Sequence, residues 1–250
     1  MKNQYNQSVY STLSVDSRFP MFANSRPVVS AQYAPHPDLR TVLARHQANV
    51  FQKPIAACSH AAFLRALAFW RTFAPDAPLI LDAGCGVGWS TLFLAREYPE
   101  CFVLGVDQSA HRLERDKSRL GAMPENLAFL RADLVDFWRD LAKAGIRLQR
   151  HFLLYPNPWP KSAHLRRRWH AHPVFPALLR LGGLFTCRSN WKPYIEEMSL
   201  CLRWSGYAPV IGTCAPGDSS ITTPFERKYH ASGQTLWSLR CDLDQKDGGA

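Results

Sequence analysis

Ile80-Leu-Asp-Ala-Gly-Cys-Gly-Val-Gly88 leads into a helix-like segment at 89–97, and Val103-Leu-Gly-Val-Asp107 follows it. The first run is an apolar strand ending in an acid and a glycine-rich turn. The second is another apolar strand ending in an acid. Glycines let the backbone come close to a ligand at the carboxyl edge of a parallel sheet, and an acid at the next strand end is placed to accept hydrogen bonds from a ribose diol. The pair predicts an α/β sheet that holds a nucleotide-like ligand.

The turn departs from the dinucleotide fingerprint Gly-x-Gly-x-x-Gly, because Gly84, Gly86 and Gly88 alternate. Asp82 precedes them where a pyrophosphate would be repelled, and an acid there suits a ligand carrying an ammonium group. Asp-x-Gly-x-Gly-x-Gly resembles the first motif of class I methyltransferases, which bind S-adenosylmethionine. That resemblance assigns Asp82, Gly84, Gly86 and Gly88 to the methionine end of the cofactor and Asp107 to its ribose hydroxyls. A third strand at 127–130 runs into Arg131-Ala-Asp133, and Asp133 matches the acid that reads the adenine amino group.

Outside these strands, composition sets limits. A chain of 250 residues with 46% hydrophobic content can bury one full-sized core. No apolar run approaches the ~20 residues of a membrane span. Residues 1–17 are polar and lack an apolar signal core, so a cytoplasmic protein is expected. The chain is expected to be a monomer. The seven cysteines form no Cys-x-x-Cys pair, and their odd number argues against a disulfide framework; no metal site is expected. The net charge of +10, with basic residues densest over 147–168, points to a polyanionic partner.

Residues 1–30 are rich in Ser, Asn, Gln and Pro and read as a flexible arm. Helical patterns follow at 36–47 and 55–73. Strands are predicted at 79–83, 101–106, 127–131, 151–155, 183–188, 208–213 and 235–242, with helices near 89–97, 109–120, 134–144, 165–181 and 191–205. This alternation predicts a doubly wound, mostly parallel seven-stranded Rossmann-like sheet over residues 76–245, preceded over 1–75 by the arm and a helical extension.

The fourth strand carries the most specific signal. His151-Phe-Leu-Leu-Tyr155 runs into Pro156-Asn-Pro-Trp-Pro-Lys161 and then Ser162-Ala-His-Leu-Arg-Arg-Arg-Trp169. In doubly wound sheets the loop after this strand overhangs the ligand crevice. Prolines stiffen it, Trp159 can stack on a base, and Lys161 with Arg166, Arg167 and Arg168 can grip phosphates. His164 sits in the same loop, whereas His170 and His172 are expected on a helix surface. The Pro-containing stretch 209–224 reads as a loop over the substrate side.

This loop resembles the Phe-Pro-Asp-Pro-Trp-x-Lys motif of bacterial tRNA (guanine-N7)-methyltransferases. Arg188-Ser-Asn-Trp-Lys-Pro-Tyr194 resembles that family's Thr-Asp-Trp-x-x-Tyr segment. Thr223-Pro-Phe-Glu226 resembles its Thr-x-Phe-Glu segment, and residues 233–239 resemble its closing strand. The resemblance implies methyl transfer from S-adenosylmethionine to N7 of a guanosine in the tRNA variable loop. It also implies substrate contacts from Lys161, Asn190, Thr223, Phe225 and Glu226, with Asn157 at the catalytic position.

Two departures share one character: Asn157 and Asn190 each stand where the family has Asp. N7 of guanine has a free lone pair, so its methylation needs placement and a field that tolerates positive charge on the ring, with no prior proton removal. A carboxylate gives both orientation and charge; Asn gives orientation alone. Asn-Pro-Pro-aromatic loops serve methyltransferases acting on exocyclic amino groups of bases, and Asn157-Pro-Trp159 lacks their second proline. A third possibility is a homologue that holds tRNA with weakened catalysis or none.

Overall fold

The computed structural model describes residues 24–115, 122–214 and 223–247. Its centre is a sheet of seven strands in the order β3-β2-β1-β4-β5-β7-β6. The strands are β1 Leu79–Ala83, β2 Phe102–Asp107, β3 Leu127–Arg131, β4 Arg150–Leu154, β5 Leu184–Ser189, β6 Val210–Thr213 and β7 Trp237–Asp242. β1 and β2 are buried at every position, as expected of parallel strands covered on both faces. β1 to β5 pair in parallel, and β7 runs antiparallel to both β5 and β6. The sheet is therefore mostly parallel, as predicted, and β1 and β4 are neighbours at the point where strand order reverses. Ligands bind at such a switch point, outside the carboxyl ends of the strands.

Eight α-helices accompany the sheet among the described residues: α1 Leu39–Ala48, α2 Ala57–Phe73, α3 Trp89–Glu97, α4 Ala110–Glu114, α5 Leu134–Lys143, α6 Phe175–Arg180, α7 Lys192–Trp204 and α8 Pro224–Ala231. Leu39, Val42 and Leu43 of α1 and Ala62, Phe63 and Ala66 of α2 belong to the same apolar core as the sheet. Phe63 meets Phe137 of α5 edge-on at 6.2 Å, which ties the N-terminal helices to the face that carries α5.

Three expectations need correction. No helix spans 165–181. Two 3-10 segments, Ser162–Arg167 and Trp169–Ala171, precede the short α6 instead. Pro173 and Pro176 interrupt helical hydrogen bonding, and Arg168 between the two segments is extended (φ −74°, ψ 136°) so that its side chain can turn inward. The described part of the arm is also tied down: Ser25 N donates to Ser232 Oγ at 3.0 Å, and Ser30 Oγ donates to the Pro160 carbonyl at 2.6 Å. Finally, Thr223 opens α8 rather than closing a loop. The rest of the arm, residues 1–23, and parts of the stretches predicted at 109–120 and 209–224 lie outside the described residues.

Candidate active site

The acids at the ends of β1, β2 and β3 all reach the same carboxyl edge, and each has at least one holding group close in sequence. Asp82 is buried, and its Oδ2 accepts hydrogen bonds from Ser90 Oγ at 2.6 Å and Thr91 Oγ1 at 2.7 Å, both in the first turn of α3. Burial pushes its carboxyl up to about 6; the two hydroxyls oppose this, and nearby Asp107 adds to it. Asp107 accepts from Gly86 N at 3.0 Å and Ser109 N at 2.8 Å, and Arg112 Nη1 stands 3.2 Å from its Oδ2. Asp133 caps α5 by accepting from Val135 N at 2.9 Å and remains partly exposed, with Lys53 Nζ 3.9 Å away.

The turn between Asp82 and α3 needs its glycines for two different reasons. At Gly88 (φ +87°) a Cβ would lie 2.5 Å from the Phe129 ring, so packing forbids a side chain. At Gly86 (φ +60°) a Cβ would meet nothing within 4 Å. The left-handed conformation there, beside Asp107, is what a backbone closely approached by a ligand requires. Carboxylates flanking an open glycine turn suit a ligand with an ammonium group and a ribose, which S-adenosylmethionine carries.

Beside this turn lies the loop after β4. Tyr155 (φ +50°) and Trp159 (φ +48°) are the non-glycine residues with left-handed backbone among those described, and each precedes a proline. Such backbone costs of the order of 1–3 kcal/mol per residue and persists only where surroundings impose it. The strain sets Asn157 at the exposed tip, where its Oδ1 accepts from Trp159 N at 3.3 Å. Arg167 lies over the Trp159 ring at 4.7 Å and His164 meets it edge-on at 5.5 Å, so the ring is held between the two. Lys161, Arg166 and Arg167 are exposed.

Arg168 is not part of that exposed set. It is fully buried, and its Nη1 donates to both oxygens of Glu197 at 2.7 and 2.6 Å. Its Nη2 donates to Gln32 Oε1 at 2.9 Å and its Nε to the Trp159 carbonyl at 3.2 Å. The expected phosphate contact from Arg168 is therefore withdrawn: this arginine fixes the loop from beneath. Glu197 also receives Gln32 Nε2, His36 N and His170 Nε2. Burial alone would push its carboxyl up, but the hydrogen bonds and charges of His170 and Arg168 outweigh burial and hold it at about 2. His170 is wholly buried, and His172 is partly buried and held down to about 4, chiefly by burial; neither lies on a helix surface.

On the far side of the crevice, Thr223 caps α8 by accepting from Glu226 N at 3.0 Å. Glu226 is buried and pairs with Arg188 Nη1 at 3.1–3.2 Å, so its carboxylate faces the protein in this arrangement and Thr223 is engaged in the cap. Phe225 is half-exposed and stacks on Tyr229, which meets Tyr155 edge-on at 5.6 Å. Burial, and then Glu226, raise the Tyr155 hydroxyl above its ordinary range. Asn190 donates to Gln234 Oε1 at 2.9 Å, and Gln234 Nε2 donates to the Ser25 carbonyl at 2.9 Å. Arg227 lies over the Trp89 ring at 5.6 Å, which links α8 to the glycine turn. Gln32, Glu197, Gln234 and Tyr229 were not singled out from the sequence. Glu197 had a visible signal, since it shares a helix face with Tyr194, Met198 and Cys201, where an acid needs a buried cation.

Fold and site together define a methyltransferase of the Rossmann-like class. A solved 16S rRNA methyltransferase, KamB, superposes with a TM-score of 0.51 at 19% identity, covering 77% of this chain and 98% of that one. Residues 76–239 match the family described as "Putative methyltransferase". The tRNA (guanine-N(7)-)-methyltransferase of Stutzerimonas stutzeri is 31% identical over 183 residues, 69% of this chain and 75% of that protein. The same enzyme of Bordetella parapertussis is 32% identical over 188 residues, 67% of this chain and 68% of that protein. The chain belongs to the tRNA (guanine-N7)-methyltransferase family.

Proposed function

We propose that the chain transfers the methyl group of S-adenosylmethionine to N7 of a guanosine in tRNA, in the variable loop as its resemblance implies. The observation that carries this reading is the adjacency of β1 and β4. It sets the strained loop, with Asn157 and Trp159, beside the glycine turn at the switch point. The cofactor supplies an electrophilic methyl carbon on a sulfonium. When bound, it would give that methyl carbon to the N7 lone pair and keep the carbon–sulfur electrons on sulfur, so that the positive charge would pass to the ring. No base is needed, so the protein's task is alignment and exclusion of water.

In this reading Asp107 and Asp133 hold ribose and adenine, and Asp82 with Gly84, Gly86 and Gly88 shapes the methionine end. Asn157 orients the guanine through its exposed amide. Phe225 stacks near the base, Asn190 and Thr223 frame the pocket, and Lys161, Arg166 and Arg167 hold the RNA backbone. Glu226 acts through Arg188. Asn157 and Asn190 are neutral, and Arg188 offsets Glu226, so the pocket offers little net negative charge to a ring becoming cationic. That neutrality favours, as a second reading, an exocyclic amine as nucleophile.

The test is incubation with labelled cofactor and tRNA lacking N7-methylguanosine, followed by identification of the modified nucleoside. N7-methylguanosine is the expected product. A methylamino base would replace the first reading with the second, and cofactor binding without any methylated RNA would defeat both.

A further inference from the structure

A second concave site lies behind the substrate loop, between the C-terminal end of α1 and residues 162–173. It is a cavity of about 410 Å³, lined by Arg45, His46, Asn49, Phe51, Arg166 and Pro173 among others, with no acid in its lining. Arg45 and Arg166 are exposed and come from segments more than a hundred residues apart in the chain. Neither guanidinium forms an ion pair among the described residues. Both act on His46, whose ring is held below its ordinary range by burial first and then by Arg45 and Arg166. Cations gathered without a counter-charge repel one another, and an anion between them relieves that repulsion.

The walls are fixed in place. Phe51 lies under the Arg139 guanidinium at 4.9 Å and meets His172 edge-on at 5.7 Å, while Arg139 also donates to the Phe51 carbonyl at 3.3 Å. Asn49 is held by a 2.7 Å hydrogen bond from Nδ2 to the Arg45 carbonyl, which leaves its second amide hydrogen available. Arg166 directly precedes Arg167, whose side chain covers Trp159. An anion seated in the cavity would therefore lie on a basic path that continues into the loop at the switch point.

We propose that this cavity seats a backbone phosphate of the RNA substrate, clamped by Arg45 and Arg166 with Asn49 as a third donor. Two guanidinium forks suit a phosphodiester, whose oxygens accept in pairs. The assignment makes α1 part of the RNA-binding surface, and it rests on the tRNA reading above.

The test measures salt-dependent binding by Arg45→Gln, Arg166→Gln and the double variant, with calorimetric S-adenosylmethionine binding as the check on fold. Two probes are used, tRNA lacking N7-methylguanosine and a single-stranded uridine oligomer. Each single variant leaves one arginine on the phosphate, so it should weaken binding while lowering the slope of log affinity against log salt by less than one phosphate contact. The double variant should lose the whole contact, a slope change of about 0.7–0.9. An unchanged slope in the double variant, or a loss of two contacts in it, would overturn the shared seat. If the wild-type chain neither binds nor methylates tRNA, the tRNA reading falls. The uridine oligomer then decides the cavity: weaker binding by Arg45→Gln supports a phosphate seat, and unchanged binding removes it.

Discussion

The cofactor half and the substrate half of this molecule are built by opposite means. Around β1, β2 and β3, each acid has a holding group a few positions away: Asp82 has Ser90 and Thr91, Asp107 has Ser109, and Asp133 has Val135, while Gly86 reaches Asp107 across the β1–β2 pairing. Around β4 and β5, the holding groups come from far away. Ser30 reaches Pro160, Gln32 reaches Glu197 and Arg168, Arg188 reaches Glu226, and Asn190 reaches Gln234. The first half is a set of local motifs aligned by the sheet. The second exists only as a tertiary network, and a single loss within it propagates.

The most severe way to expose this difference is Glu197→Gln. It leaves the buried Arg168 guanidinium without its counter-charge and should cost about 3–5 kcal/mol. Thermal unfolding should register the loss, and methyl transfer should fall further than cofactor affinity. Acid should act in the same direction. Glu197 sits below the ordinary carboxylate range, so its contribution is complete above that range and is lost as pH falls toward about 2. Equal losses of cofactor affinity and turnover would show that the two halves are not separable.

Asp107→Ala attacks the other half. It should weaken S-adenosylmethionine binding by about 1.5–3 kcal/mol, through the lost ribose acceptor and a loosened Gly86 turn, while tRNA affinity holds. Unchanged calorimetric affinity in a folded variant would remove Asp107 from the site.

A smaller effect is expected from pH alone. Burial raises Asp82 to about 6, and an ammonium-bearing ligand prefers its ionised form. Cofactor affinity should therefore rise about tenfold per pH unit up to about 6 and level off above it. In the free protein the sign is opposite: ionising a buried acid with a raised pKa removes stability as pH climbs from about 4 through about 6. A flat affinity profile between pH 5 and 7.5 would place the ammonium group elsewhere.

The smallest effect tests the asparagines. Asn157→Asp should raise single-turnover N7 methylation about 3- to 10-fold, less than a buried charge would, because the tip is exposed. Asn190→Asp should give no gain. Its amide donates to Gln234, and an acid there forces Gln234 to turn and release Ser25. A slower Asn157→Asp enzyme would show that this neutral amide is matched to a different nucleophile.

How far the sequence could be read follows the same division. The strand-end acids, the glycine turn and the mostly parallel seven-stranded sheet are legible because each shows in short stretches of sequence and in strand periodicity. Arg168 is not, because three consecutive arginines look alike until a partner is known, and Glu197 lies 29 positions on. α8 is absent from the predicted helices although Thr223-Pro-Phe-Glu226 is a capping pattern with proline in the first turn. The described part of the arm, residues 24–30, has no periodicity to show that it is ordered, and the hydrogen bonds of Ser25 and Ser30 reach partners more than a hundred residues away.

The placement of β7 between β5 and β6 has a consequence for how the protein is made. Chains emerge from the ribosome N-terminus first, so β1 to β5 can assemble while the tail is still being synthesised. During that interval β5 presents an unpaired, buried-type edge, and β6 has no neighbour to join. Only when Trp237–Asp242 arrives can the edge close and α8 settle against Arg188. A nascent chain is thus sticky before it is active. A premature stop between β5 and β7 would leave that edge open for good and favour aggregation over slow turnover.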